Sequence, residues 1–548
     1  HRLGRKPLER RYYALDLEKS GARTPGTSTA DSISAPPSTP AHRDLPSEWR
    51  GIVAGRGARP FIAHIQLMHR PIPSADSGLF AACNVADRTH GQTAADRPFG
   101  TRPTTQETRL APAFKVSACG AADDAQPAAL PAAQSAGSAT RAGRGPEDEA
   151  AGANRSALVI GAGLAGTSVA ERLAARGWRV TVIDEATGPG CGASGNRAGV
   201  FRPLPSLDDN RLARITRAGF LYGLDHLAAL AAAGHAVRWS QCGVLHLGRD
   251  AKQEGKMRAV VEAHRPSPDY LRFVTREEAS QIAGWPVAAG GWWFPGGGWI
   301  QPPSLCAANL EAGGAAIATR FDTKLARLER LGDNWAAFDP AGVEIARAAV
   351  AVLANGVGIR ALPQAATLPV RPARGQVSHL PATPGSAPQV VVCRLGYVSP
   401  EVDGVRCAGA TFIADDESSE LRDAEHRENL TKLDFILPGY AAPFDPTTLT
   451  GRVGFRPASP DRLPMVGAIP AVTTADKTTP LADIPRQPGM YAASGFGARG
   501  LVWASLVGEL LACRIDGGPL PLEADLVDAM DPARYLLKPP RPMPSGEE

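Results

Sequence analysis

Gly161, Gly163 and Gly166 follow the apolar run Ala157-Leu-Val-Ile160 with G-x-G-x-x-G spacing, and Asp184 closes a second apolar run, Val180-Thr-Val-Ile183. That arrangement suits one chemistry, the holding of an adenosine diphosphate. Gly161 lets the chain turn sharply out of a buried strand, Gly163 omits the Cβ that would meet a pyrophosphate, and Gly166 lets the next helix lie close to the sheet. The first N–H groups of that helix, and the positive end of its dipole, then face the phosphates. Asp184 stands where an acid accepts hydrogen bonds from ribose hydroxyls, which favours a free 2′-hydroxyl over a 2′-phosphate.

The same spacing recurs at Gly190, Gly192 and Gly195, and again at Gly495, Gly497 and Gly500. Neither copy is followed by a second strand ending in an acid, so only the first is a complete nucleotide unit. In Gly192-Ala-Ser-Gly-Asn-Arg-Ala-Gly199, small residues together with Ser194 and Asn196 suggest backbone passing close to a large flat ligand. A helix amino cap is the alternative there. Met490 to Leu501 reads as a strand entering a helix through glycines. N–H groups of that helix, aimed at the pyrimidine edge of a flavin, would stabilise the negative charge that a gained hydride brings. A plain strand-to-helix turn would have the same sequence.

The elements that must position these residues start near Ser156. Val169, Ala170, Leu173 and Ala174 give the helix after the first glycines an apolar face at helical spacing, and Gly177 stops it. Arg211 to Ala233 is expected to be helical, as are Pro303 to Leu310 and Leu501 to Ile515. Gly243 to Leu247 and Ala348 to Gly356 read as strands. Val390 to Val392, Val405 to Phe412 and Arg452 to Phe455 read as strands of a mostly antiparallel sheet apart from the nucleotide unit. Gly290 to Pro302, rich in glycine and tryptophan, reads as a loop. Interleaving of α/β and antiparallel pieces implies two domains built from discontinuous segments.

At 548 residues and 43% hydrophobic content the chain can bury large cores. A net charge of +4 is no basic nucleic-acid footprint of the whole surface. The eight cysteines contain no C-x-x-C pair, which argues against a zinc ribbon, a dithiol redox centre and a secreted disulfide scaffold. No metal site is expected. No apolar run is long enough to span a bilayer and no signal peptide stands at His1, so a soluble cytoplasmic protein is the expectation. Residues 1–150, rich in Ala, Pro, Ser, Thr, Gly and Arg, read as a mostly disordered or low-complexity extension. Arg11 to Leu17 and Phe61 to Met68 are the pieces within it that could order.

Further motifs stand in the globular part: Gly192 to Leu204, Arg371-Pro-Ala-Arg-Gly-Gln376, Gly396-Tyr-Val-Ser-Pro400, Arg456 to Gly467, Gly495 to Leu501 and Asp531-Pro-Ala-Arg-Tyr535. With the nucleotide unit they resemble the D-amino-acid oxidase superfamily and, more narrowly, the FAD-dependent oxidoreductase domain of the MnmC family, over roughly residues 156–538. The resemblance implies an α/β fold with a Rossmann-like FAD-binding domain, about 156–240, 340–375 and 485–520. A second, mostly antiparallel α+β substrate domain would take about 241–339 and 376–484. It implies non-covalent FAD held by Gly161, Gly163, Gly166, Asp184, Ala193, Ser194, Gly195, Asn196, Gly199, Gly495, Gly497, Gly500 and Leu501. It further implies oxidation of the carboxymethylaminomethyl group on a tRNA wobble uridine, with oxygen as reoxidant and glyoxylate and an aminomethyl uridine as products. The bifunctional form of that family places a methyltransferase ahead of the FAD domain. Residues 1–150 are too short for one, so a separate methyltransferase is expected for the next step.

Such an oxidation needs a neutral amine, an immobilised carboxylate and a C–H bond aimed at the flavin. A guanidinium fixes a carboxylate best, through paired hydrogen bonds. By the same resemblance Arg456 is the carboxylate clamp, Tyr397 a second donor to the same oxygens, and Arg499 a neighbour of the flavin edge or an aid to substrate binding. None of the eleven histidines stands in a catalytic setting, and His246 and His379 read as ordinary strand residues. Cys191 and Cys393 are poor candidates for flavin attachment. Arg534, Lys538 and Arg541 are candidates for gripping tRNA, although a solvated tail explains them equally. The rivals are an FAD-dependent oxidase of a free small amino acid or N-methyl amine and, in another class, a non-catalytic flavoprotein or tRNA-binding remnant.

Overall fold

The computed structural model describes residues 155–537, so the expectations for residues 1–150, and those for Lys538 and Arg541, lie outside the described residues. Five parallel strands, in the spatial order Arg486–Ser494, Val350–Leu353, Ser156–Ile160, Arg179–Ile183 and Ile317–Arg320, form one sheet. Met465–Pro470 adds a sixth strand, antiparallel, beside Arg486–Ser494. Ser156–Ile160 is apolar without alternation because both faces of this sheet are covered. Ala157 and Val159 enter a core with the helices Leu164–Ala174 and Gly500–Asp516, whereas Leu158 and Ile160 face Leu328, Trp335 and Ala337 of a three-stranded antiparallel sheet. Successive residues of one strand thus serve two cores, as the period of a strand requires.

A nine-stranded sheet makes the second layer. Its strands run in the order Ile413–Ala414, Arg371–Pro381, Val405–Gly409, Tyr397–Val398, Val391–Cys393, Val244–Leu247, Gly291–Phe294 and Arg272–Val274, with Thr450–Ala458 also paired to Arg371–Pro381. All pairings are antiparallel except that of Val391–Cys393 with Val244–Leu247. The α/β class and the interleaved construction expected from the sequence are present. The helices Arg211–Ala232 and Pro302–Gly313 form close to their expected bounds.

One expectation is corrected, and three segments pair in sheets that their expected domain did not indicate. Gly290 to Pro302 is not a loop: it forms the strands Gly291–Phe294 and Gly298–Ile300. A Cβ at Gly291 would stand 2.9 Å from Leu247 Cα, so the glycine permits close pairing of two strands instead of marking a turn. Ile317–Arg320 and Met465–Pro470, given to the substrate part by the sequence, lie in the six-stranded sheet. Both are edge strands: Ile317–Arg320 is half-buried and carries no apolar run, whereas Met465–Pro470 is apolar and mostly buried and is assigned to this sheet only by its pairing with Arg486–Ser494. Arg371 to Gly375, expected in the FAD-binding part, opens the longest strand of the nine-stranded sheet.

Two motifs far apart in sequence meet in space. Arg534 Nε and Nη2 donate to Asp461 Oδ2 and Oδ1 at 2.8 and 2.9 Å, and Tyr535 Oη donates to Asp461 Oδ1 at 2.7 Å. Arg534 is therefore committed to the fold and is not a tail residue reaching for a polyanion. Burial opposes ionisation of Asp461, but the Arg534 and Tyr535 bonds outweigh it and hold the carboxyl below its ordinary value. A depressed carboxyl contributes stability that is complete above the unfolded-state value, about 4, and is lost as pH falls through the lower folded-state value. Asp461→Asn is expected to cost roughly 1–2 kcal/mol near neutrality. In urea melts that gap to the parent narrows below about pH 4; a gap that stays constant with pH would refute the assignment. No helix of the described residues is long and apolar enough to cross a membrane.

Candidate functional site

The nucleotide turn is built from backbone. Gly161, at φ +107°, donates its N–H to Ile183 O at 2.8 Å, and Ala354 N donates to Ile160 O at 2.8 Å. Asp184, at the end of Arg179–Ile183, accepts Ala162 N at 2.6 Å on Oδ2 and Ala186 N at 2.9 Å on Oδ1. Each oxygen keeps a lone pair for a hydroxyl donor. The helix Leu164–Ala174 has no capping side chain of its own at Gly163. Ser194 supplies the cap from a distant loop, its Oγ accepting Leu164 N at 3.1 Å. A Cβ at Gly163 would crowd that hydroxyl at 3.1 Å, so this glycine makes room for Ser194 as well as for a ligand.

The three glycine clusters expected to serve one ligand line one cavity of about 890 Å³. Gly161, Gly163, Asp184, Ala193, Ser194, Asn196, Gly199, Gly495, Gly497, Gly500 and Leu501 all face it. Two expected contacts do not line it. A Cβ at Gly166 would fall on Gly161 O, so its task is close helix-to-turn packing, and Gly195 lies against the Arg452 guanidinium. The volume sits toward the upper end of ligand pockets, roughly 300–1,000 Å³. The carboxylate at the second strand, the side-chain-free turn and the amino end of Gly500–Asp516 fit a dinucleotide carrying a flavin.

Tyr397, Arg456 and Arg499 line the same cavity. Tyr397 Oη donates to Ala198 O at 2.9 Å, which commits its one proton. Arg456 Nη1 donates to Thr411 O at 3.1 Å, and its guanidinium carbon lies 6.0 Å from the Phe412 ring centroid. Arg499 closes the short turn Gly497–Arg499 ahead of the helix Gly500–Asp516.

Arg452 is a site residue that the sequence did not single out. Its Nη2 donates to Cys191 O at 2.8 Å and also to Gly192 O, which ties the second glycine cluster to the nine-stranded sheet. The signal was the spacing: Arg452, Gly454 and Arg456 alternate along one strand and so share a face. Arg202, Arg394 and Arg462 bring the arginines of the cavity to six, whereas its carboxylates are Asp184 and Glu185 at the nucleotide turn.

His246 and His379 lie in strands, as expected. His246 nonetheless lines the cavity, its Nδ1 enclosed without a hydrogen-bond partner, and its ring meets Trp292 edge-on at 5.9 Å. Burial, reinforced by Arg202 and Arg249, pushes its pKa well down and keeps the ring neutral. Burial likewise pushes His379 down to about 4, with Arg197, Arg452 and His426 acting in the same direction. Cys393 lines the cavity as a buried thiol whose pKa burial raises, and a protonated thiol is a poor nucleophile. Cys191 is exposed at the same cavity.

Residues 156–514 match the family described as FAD dependent oxidoreductase. A protein of Aromatoleum aromaticum named tRNA 5-methylaminomethyl-2-thiouridine biosynthesis bifunctional protein MnmC is 69% identical over 401 residues, covering 73% of this chain and 63% of its own length. A protein of the same name from Azoarcus sp. is 62% identical over 406 residues, or 74% of this chain and 64% of its own length. The chain thus spans less than two thirds of these relatives. Among solved structures, glycine oxidase from Geobacillus kaustophilus aligns with a TM-score of 0.57 at 21% identity, over 69% of this chain and 98% of its own. Iminodiacetate oxidase from Chelativorans sp. BNC1 aligns at 0.53 and 25% identity, over 67% of this chain and 97% of its own.

Proposed function

The chain belongs to the FAD dependent oxidoreductase family, and from that premise we propose that it oxidises the carboxymethylaminomethyl group of a tRNA wobble uridine to an aminomethyl group, releasing glyoxylate. The observation that carries this reading is the charge of the cavity, six arginines with carboxylates only at the nucleotide turn. That balance favours an anionic substrate. The relatives named for tRNA 5-methylaminomethyl-2-thiouridine biosynthesis supply its identity.

FAD, when bound, supplies a hydride acceptor. The chain's own residues do the rest. Arg456 holds the substrate carboxylate with a planar fork of N–H donors, which fixes the neighbouring CH₂. Tyr397, whose hydroxyl donates to Ala198 O, must turn away from that carbonyl to donate to the substrate carboxylate. Arg499 and the first turn of Gly500–Asp516 place positive potential beside the cavity. The surrounding arginines also disfavour an ammonium group, so the substrate amine sheds its proton more readily than in water. Loss of the hydride leaves a carbon–nitrogen double bond. Water adds to that carbon, the C–N bond breaks, and the nitrogen leaves as the primary amine of aminomethyl uridine. Oxygen, reduced to hydrogen peroxide, would return the bound cofactor to its oxidised state, and the primary amine would then be open to methylation. The protonated Cys393 thiol favours non-covalent cofactor binding, and a tRNA substrate places the enzyme in the cytoplasm.

Purified protein supplied with tRNA bearing the carboxymethylaminomethyl group is expected to bleach anaerobically and to release one glyoxylate per modified uridine. Faster glyoxylate release from free glycine or sarcosine would replace the tRNA reading by a small-amine oxidase. Bound flavin that bleaches with neither would point to a non-catalytic flavoprotein.

A further inference from the structure

Arg371-Pro-Ala-Arg-Gly-Gln376 holds no residue with an assigned chemical role, yet Gly375 lies against Arg456, and Arg374 and Gln376 are linked to it through Thr411. In the pairing of Arg371–Pro381 with Thr450–Ala458, Ala373 stands opposite Arg456 and Gly375 opposite Gly454. Directly opposed residues point to the same face, so Gly375 and Gly454 leave a strip of bare backbone next to Arg456. The guanidinium lies in that strip: a Cβ at Gly375 would stand 2.6 Å from Arg456 Cζ. Its Nη1 is fixed by Thr411 O at 3.1 Å. Thr411, fully buried, is itself held from several directions. Its N–H donates to Gln376 O at 3.2 Å, its Oγ1 accepts Gln376 N at 2.9 Å, and the same hydroxyl donates to Glu425, the buried ion-pair partner of Arg374.

We infer that Gly375 is a positioning residue, and that the bare strip it forms is the seat that orients Arg456 toward the substrate carboxylate. Any side chain at this position would occupy the space of the guanidinium. Thr411, locked by Gln376 and the Arg374–Glu425 pair, supplies the carbonyl that fixes the rotation of the fork about its own plane. The inference rests on the reading of Arg456 as the carboxylate clamp.

Gly375→Ala tests it in the full-length flavoprotein. The backbone there is ordinary strand, and the added methyl meets the far end of a flexible side chain, so the variant is expected to fold and to bind flavin like the parent. Its KM for the carboxymethylaminomethyl tRNA is expected to rise roughly tenfold or more, with a smaller change in kcat. In an Arg456→Ala background the same substitution should change neither KM nor Tm, because the group it displaces is gone. Equal effects of Gly375→Ala in both backgrounds, whether on KM, on Tm or as outright failure to fold, would overturn the inference. A rise in KM with Arg456→Ala but none with Gly375→Ala overturns the seat alone, whereas an unchanged KM with Arg456→Ala overturns the clamp and the seat together.

Discussion

Gly166→Ala is expected to yield a protein with less than about a tenth of the parent's bound flavin, because the first methyl group has nowhere to go. The added Cβ would fall on Gly161 O and stand 3.0 Å from Gly161 C, and both atoms belong to the turn that meets the dinucleotide. Neither can yield as a flexible side chain would. Either the helix Leu164–Ala174 lifts from the sheet or the turn opens, and both remove N–H groups from phosphate distance. Overpacking of this kind costs about 1–3 kcal/mol by itself, and the apoprotein also loses the stabilisation that a tight ligand gives the folded state. Visible flavin absorbance per mole of protein, read together with Tm, decides the matter. Gly188→Ala is the control, since a Cβ there meets nothing within 4 Å. A yellow Gly166→Ala protein with parental Tm would show that the turn does not set the cofactor site.

Arg456→Ala is expected to lower kcat/KM for the modified tRNA by roughly 10²–10³-fold. Truncating one partner of an enclosed charge-assisted pair costs about 2–5 kcal/mol, and each 1.4 kcal/mol is about tenfold. The loss should fall mainly on KM if the arginine holds substrate and transition state alike, and on kcat as well if it sets the approach of the CH₂. Arg456→Lys restores the charge without the planar fork, so it is expected to recover only part of the loss. Flavin content should be unchanged in both variants. Steady-state kinetics of the two beside the parent settle the point: equal activity of Lys and Arg would mean that charge alone matters, and an unaffected Ala variant would remove Arg456 from the site.

The nucleotide half of the site was legible because its residues are close in sequence and constrained by backbone. Gly161, Gly163 and Asp184 fall where their spacing places them, and strand and helix periods flank them. Ser194 was legible as a polar residue in a glycine-rich loop, but its role as the cap of a helix thirty residues earlier is a tertiary fact. Gly166 and Gly195 show the limit of pattern: a glycine motif reports that backbone comes close to something, without saying whether that is a ligand, a carbonyl or an arginine. Family resemblance points to Arg456, whereas nothing but the alternation of Arg452, Gly454 and Arg456 along one strand marks Arg452 in the sequence. Ile317–Arg320 is illegible as a strand of the six-stranded sheet because its half-exposed residues carry no apolar run, and Met465–Pro470, although apolar throughout, joins that sheet through a pairing that sequence does not show. Gly290 to Pro302 misled for the opposite reason, since its glycines serve close strand pairing.

The six-stranded sheet also dictates when the protein can be completed. Its inner strand Val350–Leu353 is flanked on one side by Ser156–Ile160 and on the other by Arg486–Ser494, which leads directly into the last glycine turn of the cavity. Arg452, which steadies the loop at Gly192, arrives on the ribosome only a little earlier. A chain that ends soon after Asp184 carries the first glycine turn but lacks the cavity lining from Gly495 to Val502. A chain cut ahead of the helix Gly500–Asp516 lacks the last part of that lining and is expected to retain no flavin, which visible absorbance of the truncated protein would check.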